Sequence, residues 1–236
     1  MLTRLIEGAK GMGIEMSTEQ AQKFIKYHDM LIEANAKMNL TRVPDDVAEA
    51  ADRNYLDSIS PVAKALPEGI KTLADVGSGA GFPGIPLAIM RPDIRITMID
   101  ALGKRVKFLQ DVIAELGLNA CAVHARAEEA GRKAELREQF DVVTSRAVAA
   151  MNILSELALP LVKVGGFMLA YKGPIWQEEV DGAKNALELL GGSYRQTIDA
   201  PIPGRDWQHT LVVIEKTSPI SDRFPRRPGM PEKKPL

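Results

Sequence analysis

The sequence predicts an α/β protein: a mainly parallel seven-stranded sheet with helices on both faces, an antiparallel last strand and an N-terminal helical extension. Three observations predict it. After residue 70, short apolar runs alternate with amphipathic stretches, the rhythm of βαβ units. The apolar run Thr72–Val76 breaks into Gly77-Ser78-Gly79-Ala80-Gly81-Phe82-Pro83-Gly84 and then into an apolar helix start. The last two strand-like runs have no helical pattern between them, so they pair antiparallel, because parallel neighbours need a longer crossover.

Residues 1–66 carry helical signals and few strand signals. Ser17 is placed as an N-cap with Gln20 closing a capping box, and Phe24, Tyr27, Leu31 and Ala34 recur at helical spacing behind them. A second helix is expected over 47–64, entered after Pro44-Asp45-Asp46, and Pro67-Glu68-Gly69 ends the extension. The main domain, 67–217, is expected to hold strands at 72–76, 95–100, 120–124, 140–145, 166–171 and 210–215, with a weaker one at 193–198. Helices are expected at 85–90, 104–116, 151–161 and 176–190. The tail, 218–236, is basic and proline-rich, and is expected to form no regular element.

Thirty Lys and Arg against 31 Asp and Glu leave a net charge of −1, so nucleic-acid binding must come from a local cluster. The single cysteine, Cys121, lies in a strand-like run and reads as a packed thiol, not a disulfide partner. No apolar run reaches membrane-spanning length and the first residues lack a signal-peptide core, so a cytoplasmic protein is expected. The three histidines, His28, His124 and His209, form no cluster in sequence, and neither a Ser/His/Asp arrangement nor a metal-ligand spacing appears.

Two readings compete for the glycine loop. Gly79-x-Gly81-x-x-Gly84 matches a dinucleotide fingerprint, with Asp100 roughly twenty residues on. Read from Asp75, the same stretch is Asp-x-Gly-x-Gly-x-Gly, a form common where S-adenosylmethionine is bound. The acidic residue before the glycines favours the second reading. It suits an ammonium and a sulfonium better than a pyrophosphate. The terminal strand pair favours it too.

The chain resembles the bacterial 16S ribosomal RNA guanine-N7 methyltransferases of the subunit-G type, the glucose-inhibited division protein B family. The matching segments are Met38-Asn39-Leu40-Thr41, Leu56-Asp57-Ser58, the loop from Asp75 to Ala88 with its Gly-Phe-Pro-Gly-Ile-Pro core, Leu102-Gly103-Lys104-Arg105, Ala125-Arg126-Ala127-Glu128, Ser145-Arg146-Ala147, Tyr171-Lys172-Gly173 and the ending Arg227 to Leu236. The resemblance implies a Rossmann-like class I methyltransferase fold. It implies S-adenosyl-L-methionine as cofactor and transfer of its methyl group to N7 of a guanine in 16S rRNA, free or in the small ribosomal subunit. Neither a membrane nor a metal is expected as a partner. Family binding positions map onto Gly77, Phe82, Ala127, Glu128 and Arg146.

The residues themselves add Gly79 as part of the cradle and Asp100, ending the second strand, as acceptor for ribose hydroxyls. Glu128 is expected at the adenine amino group. No residue is assigned to catalysis; Arg126 and Arg146 are the candidates. Arg146 is expected to hold the cofactor carboxylate, a phosphate or O6 alone, and not to donate to N7, since that would occupy the attacking lone pair. Lys172, Arg226, Arg227, Lys233 and Lys234 are expected to meet RNA phosphate. A nicotinamide-dependent oxidoreductase and a non-catalytic RNA-binding assembly factor remain the alternatives.

Overall fold

A computed structural model describes all 236 residues. Helices α1 (Leu2–Gly11) and α2 (Thr18–Met38) precede a helical run, α3, across residues 47–64. Strand β1 (Thr72–Val76) leads through the glycine loop into α4 (Gly84–Met90), followed by β2 (Arg95–Asp100), α5 (Gly103–Leu116), β3 (Ala120–His124) and α6 (Ala127–Ala130). Then come β4 (Phe140–Arg146), α7 (Met151–Ala158), β5 (Val162–Lys172), α8 (Trp176–Gly182), α9 (Lys184–Leu189), β6 (Gly192–Asp199), β7 (Thr210–Lys216) and α10 (Met230–Lys233).

The strands form one sheet in the order β3-β2-β1-β4-β5-β7-β6. All neighbours are parallel except β7, which runs against both β5 and β6. The chain crosses from one half of the sheet to the other between β1 and β4. The crevice above their carboxyl ends is where a doubly wound sheet binds ligands.

Each face of the sheet carries its own apolar core. The first core takes Leu5, Phe24, Tyr27, Leu31 and Tyr55 from the N-terminal helices together with Leu73, Ile96 and Leu109 from the sheet and its helices. Residues 1–66 therefore share the core of the rest of the chain. The Ser17–Gln20 capping box forms as expected, and α2 ends at Asn39, which adopts φ 49° as a left-handed cap. Tyr55 meets the rings of Phe24, Tyr27 and Phe82 edge-on or nearly so. Fully buried Tyr27 donates its hydroxyl to the Ala80 carbonyl at 2.6 Å, which ties α2 to the glycine loop.

Several boundaries differ from the sequence reading. Run α3 contains a π-helical stretch, Ala51–Leu56, and is reset at Pro61, which has no N–H to donate. Strand β5 starts four residues early and bends at Gly165, whose φ is +84°. The helix expected over 176–190 is two, separated at Ala183, with the weak helix former Gly182 ending the first.

The expectation that the tail forms no regular element is corrected. Met230–Lys233 is a short helix with proline in its first turn, where a missing N–H costs nothing. The tail is held by side chains. Arg137 donates to the carbonyls of Ile220, Ser221 and Phe224. The fork of Arg226 grips Glu156, a carboxylate with no solvent exposure. No helix is long and apolar enough to cross a membrane.

Candidate active site

The glycine loop leaves β1 at the carboxyl edge of the sheet. Gly77 has φ +72°, and a Cβ there would lie 2.5 Å from a Val148 methyl. Only glycine satisfies both the backbone and the space. Gly79, at φ +58°, faces the open side: a Cβ there would meet only the Gly77 carbonyl, at 3.9 Å. Beside it stands Asp100, ending β2. Its Oδ2 accepts the Gly79 N–H at 2.8 Å and its Oδ1 accepts the Leu102 N–H at 2.9 Å. Each oxygen keeps a further lone pair for a hydroxyl donor. Leu102, 53% exposed, adds an apolar surface next to this carboxylate. An open glycine backbone, a braced carboxylate and an apolar side chain fit a nucleoside-bearing cofactor.

Asp75 differs from the sequence expectation. It lies beneath the loop with no exposure, not beside the ligand space. Its Oδ2 accepts the Gly84 N–H at 3.0 Å, and its Oδ1 is buried without a partner. Burial pushes its pKa up to about 7, against the pull of the Gly84 hydrogen bond. An unfolded aspartate ionises near pH 4, so between about pH 4 and 7 the native state holds the proton that the unfolded state has lost. Stability from this group therefore falls as pH rises through that window, by an amount on the order of 4 kcal/mol. Asp75→Asn keeps an acceptor for Gly84 and cannot ionise. Its urea midpoint is expected to change less than the parent's between pH 5 and 8. Equal slopes for the two proteins would contradict this account.

The other expected cofactor positions gather along the same edge. Phe82 is buried against Tyr27, with the Arg146 guanidinium 5.0 Å above its ring. Ala127 and Glu128 open α6 directly after β3. The Glu128 carboxylate is buried and accepts the Gly229 N–H of the tail at 2.8 Å. Arg126 is exposed on the rim just before it.

Arg146 ends β4 and is committed inward. Its Nη1 donates to Asp57 Oδ2 at 2.8 Å and to the Arg53 carbonyl at 3.0 Å. His209 Nδ1 meets the other oxygen of Asp57 at 2.7 Å. Burial raises the pKa of Asp57, but His209 and Arg146 outweigh it and hold the carboxyl below its ordinary value. The carboxylate is thus ionised and His209 donates from Nδ1. The histidines are scattered in sequence, yet the fold builds an Asp57–His209 pair. Only the Leu56-Asp57-Ser58 segment had flagged it, without a role.

These groups line a cavity of about 520 Å³ at the ends of β4, β5 and β7. Residues 147–150 line it and reach the glycine loop, with Val148 pressed towards Gly77 and Ala147 held at φ +56°. That conformation is uncommon for a residue with a Cβ and marks a backbone held by its surroundings.

Of the residues expected to meet RNA, Lys172 lies in this cavity wall and is paired. Its ammonium donates to the Ala149 carbonyl at 2.8 Å and to Glu179 Oε2 at 2.6 Å. Arg226 is likewise engaged, by Glu156. Arg227, Lys233 and Lys234 are exposed. The structure brings Asp100 to Gly79 and Arg146 to Phe82, while Arg146 lines the cavity at the ends of β4, β5 and β7; the basic tail meets α6 and α7 through Glu128 and Glu156.

The strand order with β7 reversed, the glycine loop after β1 and the acidic end of β2 define a class I methyltransferase that uses S-adenosylmethionine. Solved structures agree on the fold. Methanococcus jannaschii fibrillarin, a pre-rRNA processing protein, aligns with TM-score 0.51 at 18% identity over 67% of this chain and 74% of its own. Aeropyrum pernix fibrillarin, solved with natively bound S-adenosyl-L-methionine, aligns with TM-score 0.50 at 16% identity over 70% and 75%.

Sequence comparison goes further. The family model for rRNA small subunit methyltransferase G matches residues 20–200. Ribosomal RNA small subunit methyltransferase G of Lactobacillus johnsonii is 46% identical over 227 residues, 95% of each chain. Its counterpart in Clostridium perfringens strain 13 is 45% identical over 226 residues, 95% of this chain and 94% of its own. The chain belongs to the rRNA small subunit methyltransferase G family.

Proposed function

We propose that the protein methylates N7 of a guanine in 16S rRNA, as free RNA or within the small ribosomal subunit, in the cytoplasm. The observation that carries this reading is family membership along 95% of the chain, joined to a nucleotide-sized cavity beside the cofactor loop. When bound, S-adenosylmethionine supplies a methyl group on a positively charged sulfur, which keeps the bond's electron pair when the purine nitrogen attacks. Guanine N7 has a free lone pair and loses no proton, so the protein's task is alignment and exclusion of water. Gly77 and Gly79 let the backbone approach the cofactor, Asp100 takes its ribose hydroxyls, and Ala127 and Glu128 face its adenine. The bonds that Arg146 makes to Asp57 and Arg53 keep its Nη1 away from the attacking lone pair.

The Asp57–His209 pair has the form of a general base, which N7 attack does not need. His209→Gln is therefore expected to lower kcat less than tenfold. A loss beyond about 100-fold, the usual contribution of a general base, would instead favour attack by an atom that must lose a proton.

The reading is tested by mapping methylated guanines in small-subunit rRNA from cells with and without the gene. One N7-methylguanosine is expected to vanish with the gene, to return with the parent protein, and to stay absent with Gly77→Asp. An unchanged map would leave a non-catalytic assembly factor as the better reading.

A further inference from the structure

Lys172, expected from sequence to meet RNA phosphate, is paired with Glu179 in the setting of a base-reading group. Both side chains are largely buried in the cavity wall, at 8% and 18% exposure. Glu179 Oε2 accepts two hydrogen bonds, from the Met151 N–H at 2.9 Å and from Lys172. Oε1 accepts none. Lys172 has three N–H donors and spends two of them, on Ala149 and Glu179. One anionic acceptor and one cationic donor are thus left over, side by side, in a cavity of about 520 Å³.

We infer that this pair is the guanine-reading subsite, with Glu179 Oε1 taking N1–H and N2–H of the base and Lys172 Nζ donating to O6. The assignment rests on the reading that guanine N7 is the methyl acceptor. That chemistry demands a free Hoogsteen edge at N7, so the base must be held by its other edge. Guanine there offers two donors next to an acceptor, the complement of a carboxylate beside an ammonium. Adenine lacks N1–H and presents an amino group where O6 would be, so it would leave both protein groups unmatched. Arginine, the usual reader of guanine through O6 and N7, would mask the nucleophile.

The pair is also tied to the cofactor loop. Lys172 holds the carbonyl of Ala149, and the neighbouring Val148 packs towards Gly77. Segment 147–150 is therefore shared by the cavity that would seat the base and by the glycine loop. Because both groups are fixed before substrate arrives, little side-chain freedom is lost on binding.

The test uses 16S rRNA assembled with guanosine or inosine at the accepting position. Inosine keeps N7, O6 and N1–H but lacks the N2 amino group. Parent protein is expected to favour guanosine by about 10- to 100-fold in kcat/KM, the worth of one hydrogen bond to a charged group. Glu179→Gln is expected to lose most of its activity on guanosine and to treat the two RNAs alike, with its S-adenosylmethionine Kd within twofold of the parent's. Equal rates on both RNAs with the parent protein would overturn the subsite without needing any variant. So would a Glu179→Gln variant that still discriminates, or one whose cofactor binding falls in step with activity, as a purely structural tie would. Failure of the parent protein to methylate N7 on either RNA, giving neither N7-methylguanosine nor N7-methylinosine, would overturn the proposed function itself, and the subsite with it.

Discussion

Asp100→Ala is expected to raise the Kd for S-adenosylmethionine by about 100-fold or more. The residue does two things at once. It fixes the loop, through the N–H groups of Gly79 and Leu102 at 2.8 and 2.9 Å, and in the proposed function it presents an anionic acceptor to the ribose. Each hydrogen bond to a charged group is worth about 1.5–3 kcal/mol, and two to the ribose diol account for the predicted loss. Releasing the two loop amides adds disorder where order is needed. Asp100→Asn should fall between, since the amide keeps one acceptor and loses the charge. Calorimetric titration reads the effect directly. A change under fivefold for Asp100→Ala would remove Asp100 from the cofactor site.

The second large effect concerns stability. Arg226→Ala is expected to destabilise the fold by about 3–5 kcal/mol, because it strands the fully buried carboxylate of Glu156. Only the backbone N–H of residue 226 would remain as its partner, at 2.7 Å in the parent. That is a large part of the roughly 5–15 kcal/mol that holds a typical domain together. Arg226→Lys keeps a charge but not the two-pronged geometry, so partial recovery is expected. Urea unfolding is the measurement. If stability instead changes by less than 1 kcal/mol while RNA affinity falls and loses salt dependence, Arg226 is an RNA-phosphate contact as its sequence context suggests.

Much of the frame was legible because it follows from local rules. The βαβ alternation, the Ser17 capping box and the reversed last strand each arise from residues close in sequence. The glycine loop was legible for the same reason: Gly77, Gly79 and Asp100 sit on consecutive units of one motif. The cavity at the ends of β4, β5 and β7 was not, since Asp57, Arg146, Lys172, Glu179 and His209 come from four separate parts of the chain and meet only in the folded sheet. The partners of Lys172 and Arg226 were hidden in the same way. A basic residue at a strand end or in a tail looks free until its partner, Glu179 or Glu156, is seen opposite it. Asp75 shows the converse, a carboxylate whose sequence position pointed at the ligand and whose burial turned it into a brace for Gly84.

The central claim is direct attack by guanine N7 on the methyl group. It is tested by incubating purified protein with methyl-labelled S-adenosylmethionine and unmethylated 16S rRNA or small subunits, then digesting the RNA to nucleosides. All incorporated label is predicted to appear as N7-methylguanosine, and none is predicted on RNA carrying 7-deazaguanosine at the accepting position. Label on any other atom, or undiminished label on the 7-deaza RNA, would contradict the account.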